Sequence, residues 1–485
     1  MNACLRKGSL GERWSLVTSI LTFVILLVTM VLADSRPAYT LPVHNLKNVR
    51  AIPAFARKYG LPCSACHTAW PELNNFGQTF RDNGYQLNND HDSPIYQDPG
   101  YFPITFRITP QWHRESTNNQ AIDSGLNADG SSAGFSQGRI TQHGFDLSGF
   151  DMWATGTIFK NISFSVLPSA DSTGAFHFEN AFIRFDNLLG SRWVNVKLGK
   201  FELDNLISEK RFLFLSDNGG LYQTYHFSPV GGINDFGLGD NQLGVELMGH
   251  SVNSYTRYSV ALLSDNSGNS GLTASRGYDV YATFSQAFQV GKLGLQRFGG
   301  YAYVGQRPTI FPTSDGAANP ILGAGYGNKS FYRVGFAGDL NIGKLEILPF
   351  FMHGYDSVFL GTGTAANGTL PDGAVAPTWN GGFVEAHLHL NPQLVLTQRY
   401  ELIRMSRQAL PSNAANLGNI DAYSVGYRWY PIMFSRGGLA FHNEYSLTKT
   451  QGSNPLGGIG ATAGPFDPNA GVWSNSLLAG FDFAF

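Results

Sequence analysis

From residue 100 onward the chain alternates. Phe102, Ile104, Phe106 and Ile108 stand against Thr105, Arg107 and Thr109, and Val194, Val196 and Leu198 against Asn195 and Lys197. Tyr278, Val280, Ala282 and Phe284 oppose Asp279, Thr283 and Ser285; Tyr423, Val425, Tyr427 and Trp429 oppose Ser424, Gly426 and Arg428. The sequence ends on Phe481, Phe483 and Phe485 in the same rhythm. A period of two marks strands with one apolar face. Segments of about ten residues separated by turns suit strands that cross a bilayer at a tilt. About 16 such strands begin near residues 101, 142, 161, 177, 193, 241, 255, 277, 293, 329, 344, 381, 393, 420, 437 and 474. The expected fold is mainly β, a transmembrane antiparallel β-barrel over 100–485 wide enough for an aqueous lumen. Turns at Lys160-Asn161 and Asn391-Pro392 suit its periplasmic end.

The first 99 residues follow other rules. Arg6, Lys7 and Arg13 precede an apolar stretch from Leu16 to Leu32 and the small residue Ala33, which reads as a signal peptide over 1–33 and implies export to the outer membrane of a Gram-negative cell. Residues 34–99 form a short helical domain. Pro53 opens a helix through Tyr59 that Gly60 can stop. Pro71 opens another, on which Leu73, Phe76, Gly77 and Phe80 share a face before Gly84.

Composition sharpens this division. Only 14% of the 485 residues are charged, against roughly 25% in soluble domains, as a lipid-facing barrel requires. Loss of the signal leaves 30 basic and 34 acidic residues, so no cationic excess favours nucleic acid. Segments 307–327, 361–378 and 451–471 carry only Arg307, Asp315, Asp372 and Asp467, and loops so poor in carboxylates are insensitive to external acid. Three cysteines exclude a disulfide framework, and Cys4 departs with the signal.

The two remaining cysteines carry the chemistry. Cys63-Ser64-Ala65-Cys66-His67 is the c-type haem attachment pattern: two thiols add to the haem vinyl groups and the adjacent histidine ligates the iron. A redox CxxC would need a βαβ setting, and a zinc site two more ligands nearby. One covalently bound haem c is therefore expected on Cys63, Cys66 and His67, within the lumen or at its periplasmic mouth.

Residues 53–60, Pro-Ala-Phe-Ala-Arg-Lys-Tyr-Gly, then Cys63–His67, then 71–77, Pro-Glu-Leu-Asn-Asn-Phe-Gly, ahead of a barrel, resemble the fused monohaem cytochrome–porins of iron-oxidising bacteria, nearest to those of acidophiles. The resemblance implies an oxidoreductase that takes electrons from extracellular Fe(II). It further implies a periplasmic acceptor, either a c-type cytochrome or a rusticyanin-type blue copper protein. Two other classes remain open: a solute porin with a haem plug, and a conduit that reduces external acceptors.

The motif leaves the distal ligand unassigned. His44 and His91 are local donors; Met152, Met248, His250, Met352, His387, His389, Met405 and His442 take the lumen phase of the expected strands. Methionine ligation raises the haem potential, which favours oxidising Fe(II) in acid. Glu385, Arg399, Glu401 and Glu444 share that phase, as a path for ions or as a salt-bridge network in the wall.

Overall fold

The computed structural model describes residues 54–59, 61–87, 104–170, 174–211, 213–214, 222–229, 234, 236–265, 267–269, 277–312, 318–320, 323–325, 327–362, 369–370, 372–407, 419–434, 437–450 and 472–484. The expected signal segment, His44, His91 and the loop 451–471 lie outside them.

The N-terminal segment contains α1 (Ala54–Tyr59), α2 (Cys63–Cys66), β1 (His67–Ala69), β2 (Glu72–Leu73) and α3 (Asn75–Asp82). Beyond it run β3 (Ile104–Asp123), β4 (Phe135–Phe159), β5 (Ile162–Ala170), β6 (Phe176–Phe185), β7 (Asn195–Glu202), β8 (Asn241–His250) and β9 (Thr256–Leu263). There follow β10 (Asp279–Val290), β11 (Gly294–Pro308), β12 (Ile310–Pro312), β13 (Ala318–Pro320), β14 (Asn328–Ile342) and β15 (Leu345–Asp356). The last strands are β16 (Thr378–Asn391), β17 (Leu394–Arg407), β18 (Ile420–Phe434), β19 (Gly437–Thr450) and β20 (Val472–Ala484). Among the described residues sixteen strands close one barrel, each antiparallel to its neighbours, with β20 pairing β3; β12 and β13 form a separate ribbon.

The strand count agrees with the alternation, and so does its sense. Val245, Leu247, Val280, Phe284, Trp473, Leu477 and Phe481 point outward and are exposed, while Glu246, Asp279, Ser285, Ser474, Ser476 and Asp482 are buried on the inner face. Apolar outside and polar inside is the reverse of a soluble sheet. Strand β4 starts at Phe135, not near 142, because its first residues pair with the end of β3.

The lumen is occupied. Between β7 and β8 the chain folds inward, and Leu203, Ile207, Tyr222, Tyr225, Phe236 and Leu238 bury against Tyr281, Tyr303, Phe331, Phe350, Met352 and Phe383 of the wall. Tyr222 stacks on Phe383 with centroids 4.3 Å apart. The short helix α4 (Gln223–His226) presents its first amides to Glu401, which accepts from the Gln223 N–H at 3.0 Å and from that of Thr224.

The N-terminal segment also sits inside the ring. Its residues bond to Arg184 on β6, Arg257 on β9, Arg297 on β11, His387 on β16 and Arg428 and Tyr430 on β18, and Arg107 on β3 lies over the Trp70 ring. Strands spread so widely around a closed ring can all be touched only from within. Most of these contacts lie near the short turns 160–161, 343–344 and 392–393, so the segment plugs that end.

The second helix starts later than the sequence suggests. Glu72–Leu73 pairs with His67–Ala69, and Asn74 caps α3 by accepting the Gly77 N–H at 2.9 Å. Phe76 consequently faces out, while Gly77 and Phe80 are buried. Phe80 packs edge-on against Phe55 and Tyr59, with centroids 5.0 and 5.7 Å away.

A Cβ on Gly77 would meet the Cys66 carbonyl oxygen at 2.2 Å and Leu73 Cδ2 at 3.0 Å. Backbone cannot yield as a side chain does, so Gly77→Ala should cost about 1–3 kcal/mol. Protease protection of residues 54–87 should then be lost at lower urea than in the parent; an unchanged midpoint would show that α2 and α3 can separate freely.

Candidate functional site

Between the plug and the wall lies a cavity of about 570 Å³, within the roughly 300–1,000 Å³ of cofactor sites. Cys63, Cys66 and His67 line it together with Leu61, Leu73, Phe80, Tyr85 and, from the wall, Leu167, Phe182 and Phe201. The motif is thus presented to a partly open space whose lining is mostly apolar and carries charges of both signs.

Cys63 and Cys66 are not disulfide-bonded and stand one helical turn apart on α2. Burial, with the neighbouring Cys63 second, pushes the Cys66 thiol up to about 11. A thiol held protonated is poor at thiolate exchange.

The chain turns extended at His67, whose Nδ1 donates to the carbonyls of Pro71 and Glu72 at 3.2 and 3.1 Å. Those bonds orient the ring and leave Nε2 as the ligating nitrogen. Burial lowers the His67 pKa to about 4, the two backbone bonds only partly offsetting it. The imidazole is therefore neutral near pH 7, as an iron ligand must be. Arg81, Arg107, Arg184 and Arg211 also line the cavity, each already paired with a carboxylate, of Asp204, Asp482, Asp186 and Glu202 in turn. Paired thiols, an oriented imidazole and an apolar wall fit a covalently bound haem.

The remaining sequence candidates separate by position. Met248 lines the cavity, its sulfur 4.0 Å from Arg184 Nη1. Met152 does not: Asp151, Trp153 and Thr155 line the cavity, so Met152 occupies the outward phase of β4, and its expected lumen position is corrected. Met352 is buried in the aromatic cluster around Tyr225, and Met405 packs against Trp379, Ile403 and Ile420. His250 Nδ1 donates to the Ser251 carbonyl oxygen at 2.9 Å. His442 is buried, and neither of its ring nitrogens has a hydrogen-bond partner.

Glu385, Arg399 and Glu401 form a network rather than an open path. Arg399 Nη1 lies 3.4 Å from Glu385 Oε2, and its guanidinium sits over the Tyr222 ring at 4.6 Å. Glu444 stands 4.0 Å from His442.

Two groupings escaped the sequence. Arg257 donates to Asp82 (2.8 Å) and Asp204 (2.6 Å), while Arg81 donates to Asp204 at 2.7 Å, tying plug to wall. Beside His67, Glu72 joins Glu346, His387 and His389, with donor atoms all within 4.8 Å of one another. Only His387 and His389, two apart on one strand face, left a local signal; their partners are far away in the chain.

No family model matches this chain, and no curated protein matches it. Among solved structures it is similar to an anion-selective porin from Comamonas acidovorans, at 12% identity and TM-score 0.47, covering 79% of this chain and 99% of that one. It is also similar to the outer membrane channel DcaP of Acinetobacter baumannii, at 10% identity and TM-score 0.45, covering 79% and 97%. A loop L8 deletion mutant of OmpT, an outer membrane protein of Vibrio cholerae, gives 12% identity and TM-score 0.42, covering 79% and 100%. These proteins share a barrel outline with this chain and bear no further on it.

Proposed function

We propose that this chain is an outer-membrane c-type cytochrome that takes electrons from Fe(II) supplied outside the cell and passes them to a periplasmic carrier, a c-type cytochrome or a rusticyanin-type blue copper protein. The observation that carries the reading is the seating of Cys63, Cys66 and His67 at a cavity between plug and wall, inside a barrel with an apolar outer face. That outer face needs lipid, and the short turns set the plug toward the periplasm. When bound, haem supplies a one-electron couple. Cys63 and Cys66 would hold it covalently, His67 would ligate the iron, and the aromatic and aliphatic wall would pack against it. The choice of Fe(II) rests on the resemblance of residues 53–80.

Reduction of the purified holoprotein by Fe(II) in stopped flow, paired with a redox titration, tests the reading. Haem reduction at some pH between 2 and 5 supports it; none over that range sinks it. A low potential would point to electrons flowing outward instead.

A solute channel with a haem plug is the second reading, favoured by the barrel's size, since sixteen strands normally enclose an aqueous channel. The packing of Leu203, Ile207, Tyr222, Tyr225, Phe236 and Leu238 inside the ring opposes it. Conductance steps of open-porin size in planar bilayers would support the channel.

Met248 is the distal donor that the cavity favours. Met248→Leu is expected to lower the haem potential and alter the low-spin spectrum, since a thioether ligand raises the potential. Met352→Leu, away from the cavity, should change neither. Equal behaviour of the two variants would remove Met248 from the coordination sphere.

A further inference from the structure

We propose that Glu72, Glu346, His387 and His389 form a second metal site, separate from the haem, that takes a divalent first-row transition ion and pins the plug to the barrel wall. The donors come from three places: Glu72 from β2 of the plug, Glu346 from β15, and His387 and His389 from β16. Two carboxylates and two imidazoles match the ligand preference of Zn(II), Fe(II) or Mn(II), and the two carboxylates neutralise the ion's charge.

The four side chains converge through His387, and two of their polar atoms are left over for an ion. His387 Nδ1 lies 3.2 Å from Glu72 Oε1 and 3.0 Å from Glu346 Oε2, and His389 Nε2 lies 3.6 Å from the latter oxygen. The Glu346 and His387 side chains are only 8% and 2% exposed. Glu72 Oε2 and His389 Nε2 are buried with no hydrogen-bond partner within 3.5 Å. Unpaired buried donors of this kind are costly unless something binds them.

The ring of His387 is held from behind as metal-binding imidazoles are. Its Nε2 is 2.7 Å from Glu385 Oε1, and Arg399 lies within 3.4 Å of the other Glu385 oxygen. That carboxylate fixes the ring and turns Nδ1 toward the shared space. Glu72 links the two sites, because its backbone carbonyl accepts from His67 Nδ1 at 3.1 Å. An ion drawing Glu72 onto the wall therefore also secures the residue that orients His67.

The test uses the full-length holoprotein in detergent, stripped with a chelator and titrated with Zn(II) by calorimetry and with Mn(II) by electron paramagnetic resonance. One saturable equivalent of each is expected. Glu72→Gln and His387→Gln should each weaken both at least tenfold, with the covalent haem content unchanged. His389→Gln, the least buried position, guards against a folding defect and should show the same loss. Bound Zn(II) should also raise the temperature at which the plug becomes protease-sensitive, in the parent only. Absence of a saturable equivalent in the parent, or binding that survives all three substitutions, overturns the proposal. Neither outcome depends on whether Fe(II) reduces the haem.

Discussion

Replacing Cys63 and Cys66 together by alanine is expected to abolish haem that resists acid–acetone extraction, from about one per chain to none. The barrel should still assemble, because none of its ring pairings involves residues 54–87. Each thioether needs its own thiol, and the described residues hold no other cysteine. Single variants should retain one attachment and differ in the pyridine haemochrome band. His67→Ala should separate attachment from ligation: the haem stays covalent, but its spectrum turns high-spin as the oriented Nε2 is lost. Parent protein exported with the cytochrome c maturation machinery yet free of covalent haem would sink the whole site.

The barrel was legible because lipid forces a rule on every strand. Outward residues such as Val280, Phe284 and Phe481 must be apolar, while inward ones such as Asp279, Ser285 and Asp482 need not be. Phase alone therefore placed Met248, Met352, His387 and His389 on the inner side. It failed at Met152, where Asp151 and Trp153 take the inner phase. The CxxCH pattern was visible for another reason: all of it lies within five consecutive residues, Cys63 to His67. What the sequence did not disclose is how the lumen is filled. Residues 203–240 carry no alternation and read only as a gap between strands, yet Tyr222, Tyr225 and Phe236 build the lumen's aromatic core. Nor does local spacing link Glu72 to Glu346, or Asp82 to Arg257. Such pairs meet only once the ring has closed around the plug.

Arg257→Met is expected to undock the plug. Arg257 is buried and donates to both Asp82 and Asp204, leaving Arg81 as the second cation of the group. Without it two carboxylates face each other out of water, and breaking a buried pair from one side costs about 3–5 kcal/mol. Burial alone would raise the pKa of Asp82, but Arg257 and then Arg81 outweigh it and hold that carboxyl below its ordinary value; Asp204 behaves likewise. Groups with lowered pKa contribute stability that is full above their unfolded value of about 3.9 and fades only as pH falls through the folded one. The parent plug should thus stay protease-resistant somewhat below pH 4, whereas Arg257→Met should expose residues 54–87 to protease even at pH 7. Adding Asp82→Asn and Asp204→Asn to Arg257→Met removes the stranded charges and should restore much of the protection, because neutralising a whole buried cluster costs far less than removing one member. If Arg257→Met resisted protease as the parent does, the plug would be held chiefly by the contacts of Trp70 and Glu72 with β16 and β18, and the ion-pair cluster would be incidental to docking.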